Sequence, residues 1–254
     1  MEADQLERYA RQIVLKEIGG AGQQALGRTR VLIVGAGGLG GPAGLYLAAA
    51  GVGHIGIIDD DDVDLSNLHR QIQFGTVDVG KRKTAAMAKA LTALNPHIQI
   101  QEHDYKLDTD NAQGIISGYD VVLDGTDNFK ARFAVNAACL SAQIPLVSGA
   151  LGRFDGQLAV FKMDRSKNKE AACYRCFVPH EPPDAETCAS VGVVGALAGI
   201  IGSMMAMETL KIITGAGEPL YGKLFLYNGL NGEARTIKLP KDPACPTCSK
   251  SKTK

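Results

Sequence analysis

Short apolar runs alternate along this chain with longer segments in which apolar residues recur at helical spacing. RVLIV, from residue 30, reads as a buried strand. It breaks into the turn GAGGLGG, and a helix follows through residues 42–51. HIGIID (54–59) reads as a second strand, and residues 80–96 as a helix stopped at Asn95–Pro96. HIQIQEH (97–103) alternates like a strand, and residues 108–118 open with acids suited to a helix start. DVVLDGTDN (120–128) is a strand ending in acids, followed by a helix over 129–143 and a strand over 144–150. Strands alternating with helices predict βαβ units and a mostly parallel sheet. Beyond residue 150 the pattern changes. Residues 156–161, 222–228 and 232–239 look like strands with fewer helices between them. The expected fold is α/β: a Rossmann-like, doubly wound, mostly parallel sheet extended by antiparallel strands. One domain over 1–254 is expected, comprising a helical arm (1–29), a nucleotide-binding core (30–150) and a C-terminal region (151–254).

Composition narrows the class. The chain has 254 residues, with 27 basic and 27 acidic side chains and a net charge of +0. That balance argues against a general nucleic-acid or membrane-surface binder. The N-terminal MEADQLERYARQ is charged and holds no apolar signal segment, so a cytoplasmic protein is expected. Residues Thr187–Met207 carry no charge and are long enough to cross a bilayer, with Gly195 and Gly199 at small-residue spacing. The stretch is rich in Gly, Ala and Ser, and Glu208 and Lys211 continue its pattern. It reads as a helix buried in a core or a subunit interface rather than a membrane span.

The candidate chemistry begins at Gly35, Gly37 and Gly40, a G-x-G-x-x-G set between strand and helix, with Asp59 ending the next strand. A tight structural turn would use the same glycines, but the flanking strands favour a nucleotide whose phosphates approach the backbone. The motif does not name the nucleotide, and NAD would be the default. A second stretch, GTVDVGKR (75–82), nearly fits an NTP phosphate loop. It lacks the hydroxyl residue after the lysine and has no apolar strand leading in, so Lys81, Arg82 and Lys83 read as the start of a helix. Asp60, Asp61 and Asp62 read as loop solvation. Asn67, Arg70 and Lys83 then follow the ribose acid, and Asp124 and Asp127 end another strand. Hydride transfer does not need these cations. A polyphosphate does, and a carboxylate can hold Mg²⁺ against it, so the set points to ATP.

Six cysteines remain. Cys173-x-x-Cys176 and Cys245-x-x-Cys248 have the ligand count and pairing of a closed tetrahedral zinc site. Disulfides are disfavoured in a cytosolic chain, and a redox pair is disfavoured in the Pro-rich PACPTCSK. Zinc would staple the C-terminal tail to the body, far from catalysis. Cys139 reads as core. Cys188, after HEPPDAET, is a possible reactive thiol. None of the five histidines is assigned a role.

RYARQIVL, VGAGGLGG, DLSNLHRQ, GKRK, LDGTDN and the paired CxxC motifs occur here in order. The chain thereby resembles, over nearly its whole length, the bacterial adenylyltransferases related to ubiquitin-activating enzymes. These act on the sulfur carriers of molybdopterin and thiamine synthesis. The resemblance implies that the C-terminal glycine carboxylate of a small ubiquitin-like carrier, ending in Gly-Gly, attacks the α-phosphorus of ATP and releases pyrophosphate. By matching position, Gly38 joins the phosphate loop, Asp59 binds ribose, and Asn67, Arg70 and Lys83 contact phosphates. Asp127 would hold Mg²⁺ and be the residue most tied to the chemistry. Arg11 resembles an arginine that reaches the partner subunit's site, which implies a homodimer; on its own it would read as a surface residue. The C-terminal region would carry the carrier-binding surface, a crossover loop and the zinc. Cys188 matches a cysteine that can join a covalent link in the thiamine branch. The molybdopterin carrier is the first expectation and the thiamine carrier the alternative. With no rhodanese-like segment after residue 248, a separate sulfur donor is expected. An NAD-dependent oxidoreductase, a noncatalytic binding module and an enzyme adenylating a modified tRNA base are the other readings.

Overall fold

The computed structural model describes residues 1–163, 171–183 and 192–249. Its strands are β1 (Arg30–Val34), β2 (His54–Ile58), β3 (Gln99–His103), β4 (Val121–Asp124), β5 (Leu146–Leu151), β6 (Asp155–Phe161), β7 (Lys223–Asn228) and β8 (Glu233–Lys238). They form one sheet in the order β3-β2-β1-β4-β5-β6-β7-β8. The first five run parallel, and β6, β7 and β8 are added antiparallel. The mostly parallel sheet with an antiparallel extension is therefore the one expected from the hydrophobic pattern.

Eight helices surround it: α1 (Ala3–Ile13), α2 (Gly19–Arg28), α3 (Gly40–Ala50), α4 (Lys83–Leu94), α5 (Ala112–Ile116), α6 (Phe129–Ala142), α7 (Tyr174–Phe177) and α8 (Gly195–Thr214), among the described residues. Strand β1 shows how the two layers arise. Its side chains alternate between faces, so Val31 and Ile33 join a core with α3, α4 and α8. Leu32 and Val34 join the other core, with α5, α6 and α7. All four are buried. Truncating a core Leu or Ile of this kind costs about 2–5 kcal/mol, so the strand beneath the glycine loop is a rigid platform. The helix expected over 108–118 contracts to α5. Asp108 instead accepts the backbone N–H groups of Asp110 and Asn111, which makes a turn of the segment ahead of it.

Helix α8 is long and apolar enough, by length and composition, to cross a membrane. It packs instead against α3 and the β5–β6 face, burying Leu197, Ala198, Ile201, Met205 and Ala206. Glu208 is buried there too, paired with Lys211 and accepting the Leu220 N–H at 2.7 Å. It is a core helix, as the Gly-, Ala- and Ser-rich composition implies.

Candidate nucleotide site and metal centre

The chain winds from β1 outward to β3 and then returns to place β4 on the other side of β1. Ligands in open α/β sheets sit at the carboxyl ends of strands at such a reversal. A cavity of about 820 Å³ opens there. Gly35, Gly37 and Gly38 line it, together with Asp59, Asn67, Arg70, Lys83 and Asp127. Gly35 has φ +92°, and its missing Cβ would lie 3.1 Å from the Gly125 oxygen. Gly40 lies behind the loop: a Cβ there would fall 1.9 Å from the Gly35 oxygen. Gly40 therefore closes the turn without lining the cavity, and α3 opens beside the loop with the positive end of its dipole, its Gly41 and Ala43 N–H groups bonded to the Gly37 and Leu39 oxygens.

Asp59 accepts the Ala36 N–H at 2.7 Å and the Asp61 N–H at 2.9 Å. Burial raises its pKa, against the nearby Lys83 ammonium and these two N–H groups. The Lys83 side chain is 7 % exposed, and its Nζ lies 2.6 Å from Asp61 and 4.0 Å from Asp59. Arg82 pairs with Asp62 and Asp104. Asp61 and Asp62 thus pair with the two cations at the start of α4 while their own side chains stay exposed, as loop acids do. Asn67 ends a short 3₁₀ turn, Leu65–Asn67, and its Oδ1 accepts the Asp64 N–H at 3.3 Å. Arg70 Nη1 donates to the Ser66 oxygen at 3.1 Å and lies 2.9 Å from His69 Nε2.

The two acids after β4 differ. Asp124 is fully buried, accepting from Thr126 N–H at 3.1 Å, Thr126 Oγ1 at 2.7 Å and Ser148 Oγ at 3.1 Å. Its hydrogen-bonding capacity goes to shaping the loop. Asp127 is exposed at the cavity, and no side chain among the described residues bonds its carboxylate. Arg132, which the sequence pattern showed only as part of a helix, sits in the first turn of α6 and lines the same cavity. It is 6 % exposed and donates to the Thr126 and Gly149 oxygens. Burial works against its charge, but the Asp124 carboxylate prevails and holds its pKa above the usual range. A charged residue inside the apolar run ARFAVNAAC was the one available signal. Gln71, also unflagged, is buried at the cavity with Oε1 unpartnered among the described residues.

Arg11 is exposed on α1 and absent from the cavity lining. Tyr9 and Arg8 dock α1 near the C-terminal ends of α3 and α4, through Asn95 and the Leu94 oxygen. The cavity is at the opposite, N-terminal end of α3, so this chain's own site does not receive its Arg11. Cys188 lies outside the described residues.

The two CxxC pairs come together. Cys173 Sγ is 3.6 Å from Cys245 Sγ, Cys176 Sγ is 3.4 Å from Cys248 Sγ, and all four sulfurs lie within 4.8 Å of one another. Tetrahedral zinc with Zn–S near 2.3 Å needs sulfurs about 3.8 Å apart, so the donor set fits such an ion. Backbone N–H groups of Cys173 and Cys248 point at Cys176 and Cys245 sulfurs. The centre is not remote from the cavity, contrary to expectation. Tyr174 and Phe177, beside the first pair, line it.

Known structures and sequences bear on this arrangement. Escherichia coli MccB crystallised with ATP superposes with a TM-score of 0.83 over 96 % of this chain and 75 % of that one, at 23 % identity. At that identity the likeness speaks for the fold. A curated "Sulfur carrier protein adenylyltransferase" of Thermus thermophilus is 43 % identical over 252 residues, 98 % of this chain and 93 % of its own length. "Adenylyltransferase and sulfurtransferase MOCS3" of Anopheles gambiae is 44 % identical, and "Probable adenylyltransferase/sulfurtransferase MoeZ" of Mycobacterium tuberculosis is 43 % identical. This chain spans only 56 % and 63 % of those two. Residues 9–247 match the ThiF family model, and with a relative this similar over nearly its full length, the chain belongs to the ThiF family.

Proposed function

We propose that this chain is an adenylyltransferase that activates the C-terminal carboxylate of a small sulfur-carrier protein with ATP. The observation that carries the reading is one cavity lined together by the glycine loop, the ribose acid Asp59, the cations Arg70 and Lys83, and the exposed carboxylate of Asp127. Hydride transfer leaves Arg70, Lys83 and Asp127 without employment, whereas a triphosphate uses all three. Asp59 receives the ribose hydroxyls, and the α3 N-terminus and the glycine loop receive phosphate oxygens. Lys83 exchanges Asp61 for the β- and γ-phosphates; Arg70 and Asn67 close over them. Asp127 is the residue suited to Mg²⁺, which when bound neutralises phosphate charge. The carrier carboxylate enters from the side walled by Ala150, Leu151, Tyr174 and Phe177, attacks the α-phosphorus in line, and pyrophosphate departs toward the cations. The chain's contribution is positioning and charge stabilisation rather than covalent participation.

The named activity of the similar relatives supports this class of substrate. The finer readings belong to the same proposal: a carrier ending in Gly-Gly, the molybdopterin carrier ahead of the thiamine carrier, a separate sulfur donor, zinc on the four cysteines, and a cytoplasmic homodimer with Arg11 reaching the partner's site. Calorimetry tests the nucleotide directly. ATP with Mg²⁺ should bind and NAD should bind far more weakly; tight NAD binding with none for ATP refutes the reading.

A further inference from the structure

Asn136 lies one turn beyond Arg132 on the same face of α6. It is fully buried, accepts the Tyr174 N–H at 2.8 Å, and directs Nδ2 at Cys173 Sγ at 3.8 Å. The Arg132 guanidinium lies 5.9 Å from the Tyr174 ring centroid while holding the Thr126 oxygen, one residue before Asp127. Phe133 packs on Tyr174, and Arg175 lies 4.6 Å over the Phe133 ring. An enclosed amide bonded to one backbone N–H and one sulfur fixes a single docking position for α7. An apolar side chain would fill the space without that choice. Helix α7 has four residues, too few to hold its own shape, and its N-cap Cys173 and its own Cys176 belong to the four-cysteine cluster.

We propose that the four-cysteine centre positions the Asp127 loop, through α7, Asn136 and Arg132. The ion fixes Cys173 against Cys176 and so fixes α7. Asn136 and Tyr174 transfer that position to α6. Arg132 ties the Thr126 carbonyl of the loop to the Gly149 carbonyl of β5. Asn136 and Arg132 are positioning residues that act through Asp127. The activity arm of this proposal rests on the adenylation reading; the structural arm does not.

Hydrogen exchange on the full chain, with zinc and after chelation below the unfolding temperature, reads the structural arm. Circular dichroism checks that the chelated chain stays folded. Amides 126–131 should exchange about tenfold faster or more without zinc, those of β1 and α3 being unchanged. Zinc-loaded Asn136→Ala should retain about one zinc per chain and show the same local loss of protection. Its kcat for ATP–pyrophosphate exchange should fall about tenfold with KM for ATP within about twofold. Should Asn136→Ala not fold, Arg132→Lys keeps the charge, gives up the two-carbonyl clamp, and should loosen the same amides with zinc in place. Equal protection of 126–131 with and without zinc overturns the proposal. Wild-type protein that binds ATP but shows no pyrophosphate exchange with any sulfur carrier ending in Gly-Gly refutes adenylation instead, and the amide protection then decides the relay alone.

Discussion

Asp59 and Asp127 are both aspartates at strand ends, yet their surroundings prepare them for different work. Asp59 is held by two backbone N–H groups in a buried position whose desolvation raises its pKa. Ribose hydroxyls donate to the ionised form, so ATP affinity should fall on acidification, beginning above the 3.8 of an ordinary aspartate. Asp59→Asn should bind ATP about tenfold or more weakly, as loss of charged hydrogen bonds implies, and lose that pH dependence. Titration calorimetry across mildly acidic pH checks both. Asp127 lacks such partners, so Asp127→Ala should leave stability within about 0.5 kcal/mol, as for a surface change, while removing most turnover. A melting curve beside an exchange assay separates the two effects.

Elements show why some features were legible in the sequence and others were not. The alternation of apolar runs with helical segments revealed the parallel sheet because β1, β2, β4 and most of β5 are enclosed on both faces, while the edge strand β3 is exposed and shows instead in its alternating pattern. Asp59, Arg70, Lys83 and Asp127 were readable because motif spacing brings strand ends to one crevice. Arg132 was not, since its partners Thr126, Gly149 and Tyr174 depend on how α6 meets β5 and α7. Nor could spacing show that CxxC residues would border the cavity. The small-residue pattern in α8 pointed to close packing but chose Gly195 and Gly199, whereas the close contacts belong to Gly195 and Gly202. A Cβ at Gly202 would lie 2.6 Å from the Leu39 oxygen, and one at Gly195 2.1 Å from the His69 oxygen. At Gly199 nothing lies within 4 Å. Gly202→Ala should therefore cost about 1–3 kcal/mol, and Gly199→Ala should add a few tenths up to about 1 kcal/mol. Gly195→Ala should also weaken ATP binding, because α8 abuts the backbone that carries Arg70. Chemical denaturation of the three variants reads the ranking. Serine at Cys245 and Cys248 should lower the melting temperature and the zinc content together, as metal analysis with calorimetry would record.

The whole molecule presents a site whose cations and carboxylate come from one chain, while Arg11 faces away. Tyr46 on α3 and Ile200 and Met207 on α8 are exposed on the same helical layer, where the homodimer proposed above would place its partner. With Arg11 acting in trans, Arg11→Ala and Asp127→Ala should each be inactive alone. Mixed under subunit exchange, they should regain activity, since one site of each heterodimer carries neither lesion. Persistent inactivity with heterodimers demonstrated refutes the shared site. Adenylation itself is tested most directly by isotope exchange between pyrophosphate and ATP, with purified protein, Mg²⁺ and a candidate sulfur carrier ending in Gly-Gly. The account predicts label in ATP only when the carrier is present, and none after its terminal glycine is removed or when the enzyme carries Asp127→Ala. Label that appears regardless of the carrier, or no label with any sulfur carrier although ATP binds, would contradict it.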